Sequence, residues 1–396
     1  MNRFFPIGLV LAGFAIFLTA CGTGNFNRGG LGNIGTGQSE QFDAIGSGSI
    51  KIGLLLPLSA NGNAGRTAKA LKEAAELALF TFNNPDIILI PKDTQGTAAG
   101  AQAAATELVN DGVELIIGPL FAESVVSASS VTRQASIPMI AFSTDSNVAG
   151  RGVFLLSFLP ENDINQIIAY AVSQGKRSFA AILPQNAYGT IIQNAFQQAV
   201  VRNGGQVVAV ETYPLDRQGM MEPAERISVV ASGDSPQADA ILIPDGPNVI
   251  PSLAPLLTIH GVKTNLVQFL GSGQWDDERA RREPALRGGW YPSADPTGFQ
   301  EFSNQFQATY GSEPPRLASL AYDAVNLAST LAGQPQGQRF SDEALTDPGG
   351  FEGVDGIFRF LTNGLNERGL SIMEVTEGGG SRVLQPAPRA FGPRSF

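Results

Sequence analysis

Short apolar runs alternate with longer stretches of helical periodicity from Ile50 onward. Such runs are typical of strands in parallel sheets, which are buried on both faces. The first series of runs predicts strands at 50–57, 87–91, 114–120 and 138–142. The stretches between them predict helices near 64–83, 97–111 and 122–134. In the first helix the apolar positions recur at intervals of three and four residues and predict a buried stripe of Ala68, Leu71, Ala75, Ala78 and Phe82.

A second series of the same kind begins near residue 153. It predicts strands at 153–158, 179–184, 206–213, 238–244 and 265–271. The helices predicted between these strands lie near 161–174, 188–203, 222–232 and 247–258. Two such series, with a break near 145–157, predict an α/β fold of two doubly wound, parallel-sheet lobes around a hinged cleft.

The remaining chain offers too few elements for a third domain. It predicts helices near 297–309 and 315–332, then a hairpin-like pair of runs at 354–361 and 369–375 around Asn363 and Gly364. We expect the chain to cross back and complete each lobe in turn. The predicted first lobe is 50–157 plus about 297–345, and the predicted second lobe is about 158–296 plus about 346–380. Residues 381–396 are expected to form a flexible tail.

The N-terminus carries the features of an export signal. The apolar run from Phe4 to Ala20 follows Arg3 and is shorter than the roughly 20 residues that span a bilayer, so residues 1–20 are predicted to be a signal peptide. The sequence Leu18-Thr19-Ala20-Cys21 resembles the lipobox of bacterial lipoproteins, which implies that the Cys21 thiol carries a lipid. An ordinary signal peptide with an unpaired cysteine is the alternative.

Residues 21–48 are rich in glycine and predict a flexible tether between the lipid and the folded region. The expected location is the periplasm, with a lipid anchor in a bacterial membrane. Gly22, rather than aspartate, follows the cysteine and favours the outer membrane.

Composition and charge exclude several classes of function. The net charge of −10 and the lack of a basic run argue against a nucleic-acid partner. One Cys and one His exclude a structural zinc site and most His-dependent hydrolases, and we expect no metal and no cofactor. The sequence has no Gly-x-Ser-x-Gly elbow and no Walker A loop. The chain is therefore predicted to bind rather than to catalyse.

Ligands of open α/β sheets bind beyond the carboxyl ends of the strands. In the first lobe this rule selects Ser59, Asn61, Asp93, Thr94, Ser143, Thr144 and Asp145. In the second lobe it selects Asn186, Tyr188, Asp245, Gln274 and Trp275. Each polar residue has a second interpretation as a helix N-cap or a loop hydrogen bond.

An acidic group, Asp276-Asp277-Glu278, directly follows Trp275. Because arginines follow it, a solvated helix start is one interpretation. The other is a carboxylate at the edge of the cleft that receives a cation.

Several motifs together suggest a family. The stretches IGLLLPLS (52–59), ELIIGPL (114–120), IPMIAFST (137–144), Asn186-Ala187-Tyr188-Gly189 and LASLAYDAVNLA (317–328) resemble the leucine/isoleucine/valine-binding proteins. The resemblance covers about residues 50–380. It implies the type 1 periplasmic-binding fold, two lobes joined by three crossovers. It also implies a non-enzymatic receptor that closes on an amino acid or other small polar ligand and presents it to an ABC permease.

The resemblance also implies roles for single residues. Receptors of this family hold the ligand carboxylate with a Ser or Thr hydroxyl after the third strand, where this sequence has Ala122; Ser143 and Thr144 could supply the other half of that site. The ligand ammonium is held by acidic or tyrosine side chains of the second lobe. Glu161, Tyr188 and Asp245 lie in suitable loops.

A second branch of the superfamily is also similar. The stretches 118–121 (GPLF), 142–145 (FSTD), 158–161 (FLPE) and 269–271 (FLG) followed by Gln274-Trp275 resemble the penicillin-binding-protein activator lipoproteins. That resemblance implies regulation of a peptidoglycan synthase. Well-known activators carry an extra helical domain ahead of this fold, where this sequence has the Gly-rich tether. Both alternatives stay open at this point.

Overall fold

The computed structural model describes residues 43–82 and 86–392. The predicted signal peptide, Cys21 and most of the predicted tether lie outside the described residues. None of the helices in the described ranges is long and apolar enough to cross a membrane.

The first lobe is built on a six-stranded sheet. Its strands are β1 (Ile45–Gly46), β2 (Ile50–Leu56), β3 (Ile87–Asp93), β4 (Leu115–Ile117), β5 (Met139–Ala141) and β6 (Val153–Leu155). Its first helices are α1 (Gly62–Thr81), α2 (Ala98–Asp111) and α3 (Ala122–Ala135). The strand order is β1-β3-β2-β4-β5-β6, with every pair parallel except β1 with β3. Four of the five predicted stripe residues of α1 are buried, whereas Phe82 is 39% exposed and packs edge-on against Tyr322.

Two boundaries differ from the sequence interpretation. The predicted tether ended at residue 48, but Ile45 and Gly46 already pair with β3, because Ile45 buries its side chain against the first core. The run beginning at Val153 opens the second series in the sequence, but β6 pairs with β5 and completes the first sheet, within the predicted first-lobe bounds of 50–157.

The second lobe has a seven-stranded sheet in the order β15-β14-β11-β10-β9-β7-β8. Its strands are β7 (Ser178–Pro184), β8 (Gln206–Tyr213), β9 (Ala240–Leu242), β10 (Gln268–Leu270), β11 (Trp290–Ser293), β14 (Ser371–Val375) and β15 (Ser381–Gln385). Helices α4 (Pro160–Ser173) and α5 (Ala187–Arg202) cover one face of the sheet, and α6 (Met221–Ala231) and α7 (Ile250–Ile259) cover the other. The short helix α8 (Glu278–Arg281) follows β10.

The C-terminal part of the chain returns to the first lobe before it finishes in the second. Helices α9 (Pro296–Tyr310), α10 (Ala318–Leu331) and α11 (Asp342–Leu345) and the hairpin of β12 (Phe358–Phe360) and β13 (Asn366–Arg368) pack on the first core. The hairpin turn falls at Asn363-Gly364 as predicted, but its partner strands are β12 and β13 rather than 354–361 and 369–375. The part of the predicted second-lobe segment 346–380 that precedes the third crossover is thereby corrected to the first lobe, because Phe351, Phe358 and Phe360 fill the first core, whereas β14 lies in the second-lobe sheet.

The C-terminal tail is the last correction. Residues 381–396 were expected to be flexible, but Ser381–Gln385 forms β15 and pairs with β14 along the sheet edge. The chain passes between the lobes three times, at 156–159, 294–295 and 369–370. Both sheets are doubly wound, so the carboxyl ends of their parallel strands are where a ligand is expected.

Candidate ligand-binding cleft

A cavity of about 400 Å³ lies where the three crossovers meet the second lobe. Its volume falls in the range of small-molecule sites, roughly 300–1,000 Å³. Apolar side chains and prolines form much of its wall: Phe158, Pro160, Pro292, Ala294 and Leu370. The other lining residues are polar, charged or glycine: Asp163, Tyr188, Gly273, Gln274, Asp276, Ser293 and Arg316.

Asp163 is the acidic residue of the cavity whose pKa is most clearly perturbed. It lies in the first turn of α4, which Pro160 begins. Its Oδ2 accepts a hydrogen bond of 2.8 Å from the backbone N–H of Gly273. Burial is the main cause that raises the pKa of the carboxyl to about 7; the Gly273 hydrogen bond acts in the opposite direction, and the negative charge of Glu161 adds a smaller upward contribution. A cationic group of a ligand would stabilise its ionised form.

Arg316 is the cation of the cavity and comes from the first lobe, just before α10. One guanidinium nitrogen is paired with the buried carboxylate of Asp355, which also accepts a 2.7 Å hydrogen bond from the Ser319 hydroxyl. The guanidinium also lies 4.8 Å from the ring centroid of Phe299 and 5.9 Å from that of Phe158. The side chain is 40% exposed, so it can still meet an anion.

Asp276 is a second carboxylate on the second-lobe wall. Its Oδ1 accepts a 2.7 Å hydrogen bond from Arg281, and its Oδ2 accepts one of 2.8 Å from the Ser293 hydroxyl. Asp277, the next residue, caps α8 by accepting from the backbone N–H of Arg279. The helix-start interpretation therefore describes Asp277, whereas Asp276 lines the cavity and is already paired with Arg281.

Among the residues selected at strand ends, Tyr188 and Gln274 line the cavity. The Tyr188 hydroxyl donates to the Pro244 carbonyl at 3.1 Å, which fixes the ring at the start of α5. Burial raises the pKa of this hydroxyl to about 12, so it remains a hydrogen-bond donor at neutral pH. The Gln274 side chain is exposed and lies close to Gly246.

The other predicted residues of the second lobe do not line this cavity. Trp275 is fully buried in the core, and its indole N–H donates to the Ile243 carbonyl at 3.0 Å. Asp245 is buried and accepts a hydrogen bond from Tyr213, and burial raises its pKa. Asn186 caps α5 by accepting from Gly189 at 2.8 Å. Glu161 lies two residues from Asp163, with its Oε2 buried and without a hydrogen bond.

The first-lobe candidates also lie outside the cavity lining. Asp93 accepts from the backbone N–H groups of Ser59 and Gln95, and Thr94 is fully buried and accepts from Gly96. Ser143 accepts from the N–H of Asp145, which in turn accepts from Asn147. The remaining three begin or flank helices and loops: Asn61, Ala122 and Thr144. The alternative interpretation, a loop hydrogen bond, describes several of these side chains.

Sequence reasoning missed Asp163, Arg316 and Phe158. The rule that selected loops at strand ends does not consider the crossovers or the first turn inside a helix. Two signals were present: Asp163 follows Glu161 by two residues at a predicted helix start, and Arg316 stands at the beginning of the predicted helix 315–332. Across the described part of the chain, no group of three or more His, Cys, Asp and Glu side chains could hold a metal ion.

The arrangement places the Arg316 cation opposite the Asp163 carboxyl, with Asp276 on the same wall but already paired with Arg281. Arg316 reaches the cavity from the first lobe, whereas Asp163 and Asp276 reach it from the second. A ligand with one anionic and one cationic group could contact both lobes at once. Such a ligand would stabilise the closed arrangement through its differential contacts.

A family model described as "Periplasmic binding protein" matches residues 49–380. The chain belongs to this family. A Leu/Ile/Val-binding protein homolog 6 from Brucella melitensis is 21% identical over 238 residues, which cover 58% of this chain and 59% of the relative. The match thus spans little more than half of that relative's length. Together these findings confirm the resemblance to the leucine-binding proteins.

Two further comparisons bear on the fold and on the second branch. A crystal structure described as "a putative branched-chain amino acid ABC transporter from Rhodospirillum rubrum" superposes with a TM-score of 0.72 at 22% identity, covering 85% of this chain and 100% of that one. The fold class predicted from the sequence is confirmed. The penicillin-binding protein activator LpoA of Serratia proteamaculans is 30% identical over 132 residues, which cover 33% of this chain and 18% of the relative.

Proposed function

We propose that this chain is a non-enzymatic, lipid-anchored solute-binding protein that closes its lobes on an amino acid or similar small polar ligand. The ligand would be presented to an ABC permease. The observation that carries the proposal is that Arg316 and Asp163 line one cavity at the crossovers, the first from the first lobe and the second from the second. Family membership and the names of the Brucella and Rhodospirillum proteins support it.

The charges define which ligand suits the cavity. A buried ammonium without a carboxylate partner would be costly, and neither Ser143 nor Thr144 addresses that need. Asp163 supplies the partner, since its Oδ2 accepts only the Gly273 N–H among the described hydrogen bonds. Arg316 can receive the ligand carboxylate through nitrogens that Asp355 leaves free. The apolar wall around Phe158 and Leu370 would contact an aliphatic or aromatic side chain of the ligand.

The lining residues also support binding rather than turnover. The single histidine, His260, is at the C-terminal end of α7 and does not line the cavity. The Ser293 hydroxyl lies within hydrogen-bond distance of Asp276 Oδ2 and of the Ala294 carbonyl, but no histidine lines the cavity to complete a Ser-His-Asp triad.

The anchor and location are part of the proposal. Cys21 would carry the lipid and hold the protein in the periplasm, with the outer membrane favoured by Gly22. The tether would give the lobes freedom to reach a permease.

A second candidate function is regulation of a peptidoglycan synthase, as implied by the activator-like motifs. The Serratia protein is 30% identical to this chain across 33% of the chain's length, and this similarity favours the second candidate function. Several polar side chains of the first lobe make hydrogen bonds within their own loops and do not line the cavity. This arrangement also favours the second candidate function.

Thermal unfolding against a panel of amino acids, short peptides and peptidoglycan fragments tests the proposal. A ligand present at a hundred times its Kd and bound only to the folded form should stabilise it by about 2.7 kcal/mol. A concentration-dependent rise in Tm with one compound supports the receptor. A flat response to the whole panel contradicts it and favours the activator, for which capture of a peptidoglycan synthase is the next assay.

A further inference from the structure

The chain continues beyond β15 along the surface of the hinge. We call residues 386–392 the C-terminal strap. It starts at the edge of the second-lobe sheet, since β15 pairs with β14. Its first hydrogen bond to the second lobe is made by Ala387, whose N–H donates to the Ser371 hydroxyl at 3.0 Å. Ser371 is the first residue of β14, directly after the third crossover.

The strap then passes over the third crossover. Pro388 packs against Gly369 so closely that a Cβ added at Gly369 would lie 3.0 Å from Pro388 Cγ. The crossover itself is held by the second lobe, because Gln166 of α4 donates to the Arg368 carbonyl at 2.5 Å and accepts from the Leu370 N–H at 3.2 Å. The strap therefore lies beside a segment that must bend when the lobe angle changes.

The far end of the strap is fixed in the first lobe. The ring of Phe391 covers the guanidinium of Arg359 on β12, with 4.5 Å between the guanidinium carbon and the ring centroid. Arg359 is 8% exposed, is held by Glu367 at 2.7 Å, and also donates to the Gly392 carbonyl at 3.4 Å.

Gly350 makes room for the ring. Its φ is +76°, and a Cβ there would lie 2.9 Å from Phe391 Cδ2. An L-residue at this position would be strained whatever the space, and its side chain would also displace the ring. Together with Gly369, this makes two glycines along the path of the strap.

We propose that the C-terminal strap is a restraint on lobe opening. It joins the second-lobe sheet edge to the first-lobe hairpin beside the crossover, so a wider lobe angle must stretch it or pull Phe391 from Arg359. The contact at Phe391 is a cation–π contact and not a covalent link, so the restraint is reversible. This inference rests on the hinged closure of the proposed function and concerns its regulation.

Distance measurements between spin labels test the restraint without any ligand. The labels are placed at Gln102→Cys on α2 and Gln198→Cys on α5, both exposed positions, in the full chain carrying Cys21→Ser. Two changes act on the far contact: Phe391→Ala removes the ring from Arg359, and a chain ending at residue 386, which keeps β15, removes both the ring and the Gly392 carbonyl. Phe391→Tyr, which keeps a ring on Arg359, and a chain ending at residue 392 are the matched controls.

We expect Phe391→Ala and the shorter chain to gain a population with a longer inter-label distance, and both controls to match the parent. Distributions that superpose for all of these proteins would overturn the restraint. If the chain ending at 386 does not fold, the comparison of Phe391→Ala with Phe391→Tyr decides the matter. Because no ligand is present, this result is independent of whether the cleft binds the proposed solute.

Discussion

At the scale of single residues, the cleft contains one carboxyl group, that of Asp163, whose ionised form is disfavoured by burial. Asp163 is buried at the start of α4 with one described hydrogen bond, from Gly273, and burial is the main cause that raises its pKa to about 7. Its ionised form lacks a cationic partner among the described ion pairs. A ligand ammonium would supply that partner, which is why we place recognition of the cation here.

The pH dependence of binding follows from this assignment. The ionised form of Asp163 binds an ammonium, so affinity should increase as pH rises through about 7 and level off above it. Below the pKa, each pH unit should weaken binding up to about tenfold. Titration calorimetry from pH 5.5 to 8.5 with a compound identified by thermal shift measures this. Asp163→Asn should remove the dependence, and a flat profile for the parent protein would contradict the assignment.

Substitutions at Trp275 distinguish a role in the core from a role in contacting the ligand. The side chain is fully buried in the second-lobe core and donates to Ile243. Trp275→Ala should lower the free energy of unfolding by about 3–5 kcal/mol, measured by urea denaturation. Trp275→Phe should cost less and leave ligand affinity unchanged. A large loss of ligand affinity in Trp275→Phe with unchanged stability would instead indicate that the tryptophan contacts the ligand in the cleft.

At the scale of elements, the second-lobe sheet depends on strands from distant parts of the sequence. β15 covers the edge of β14, and Arg382 pairs with Glu374 across the two strands. An uncovered strand edge exposes unpaired N–H and C=O groups.

A chain ending at Gly380 tests the contribution of β15. We expect a lower Tm and faster hydrogen exchange at the β14 amides that β15 protects, because both lose their hydrogen-bond partners. A chain ending at residue 392 should behave like the parent. Equal melting and exchange in all three proteins would mean that residues 381–396 behave as the flexible tail that the sequence predicts.

The sequence predicted most of the elements because local pattern decides them. The buried stripe of α1 and the turn at Asn363-Gly364 could be read from spacing and turn chemistry. The pairing of the strands could not be read from the sequence. The strands β12 and β13 are short, and their pairing depends on which core Phe358 and Phe360 fill. The cleft shows the same limit: Tyr188 follows a strand, but Arg316 reaches the cavity only through the packing of the first lobe against the crossovers.

At the scale of the whole molecule, stability should fall as pH rises above 5. Burial is the main cause that raises the pKa of Asp163 and of Asp323 to about 7, from an ordinary value of 3.8. The unfolded chain loses both protons at lower pH than the folded chain, so stability that is present in acid is lost as pH rises towards 7.

Urea denaturation at pH 5 and pH 8 measures this change. The free energy of unfolding should be higher at pH 5, by a few kcal/mol at most. Carboxyls with lowered pKa values, such as Asp239 and Asp295, act mainly below pH 4 and do not reverse the trend. Asp163→Asn should reduce the difference. A free energy of unfolding that is higher at pH 8 would contradict this account.

The central claim is that opposite charges from the two lobes bind one ligand in the cleft. Titration calorimetry of the compound found by thermal shift, with Asp163→Asn and Arg316→Gln, tests it most directly. Each change should weaken binding roughly 10- to 100-fold, the value of a charged hydrogen bond. Glu123→Gln, at the equivalent first turn of α3, and Arg287→Gln, in an exposed ion pair with Glu377, are controls and should bind normally. Unchanged affinity in both cleft variants, with the folds intact, would contradict the claim.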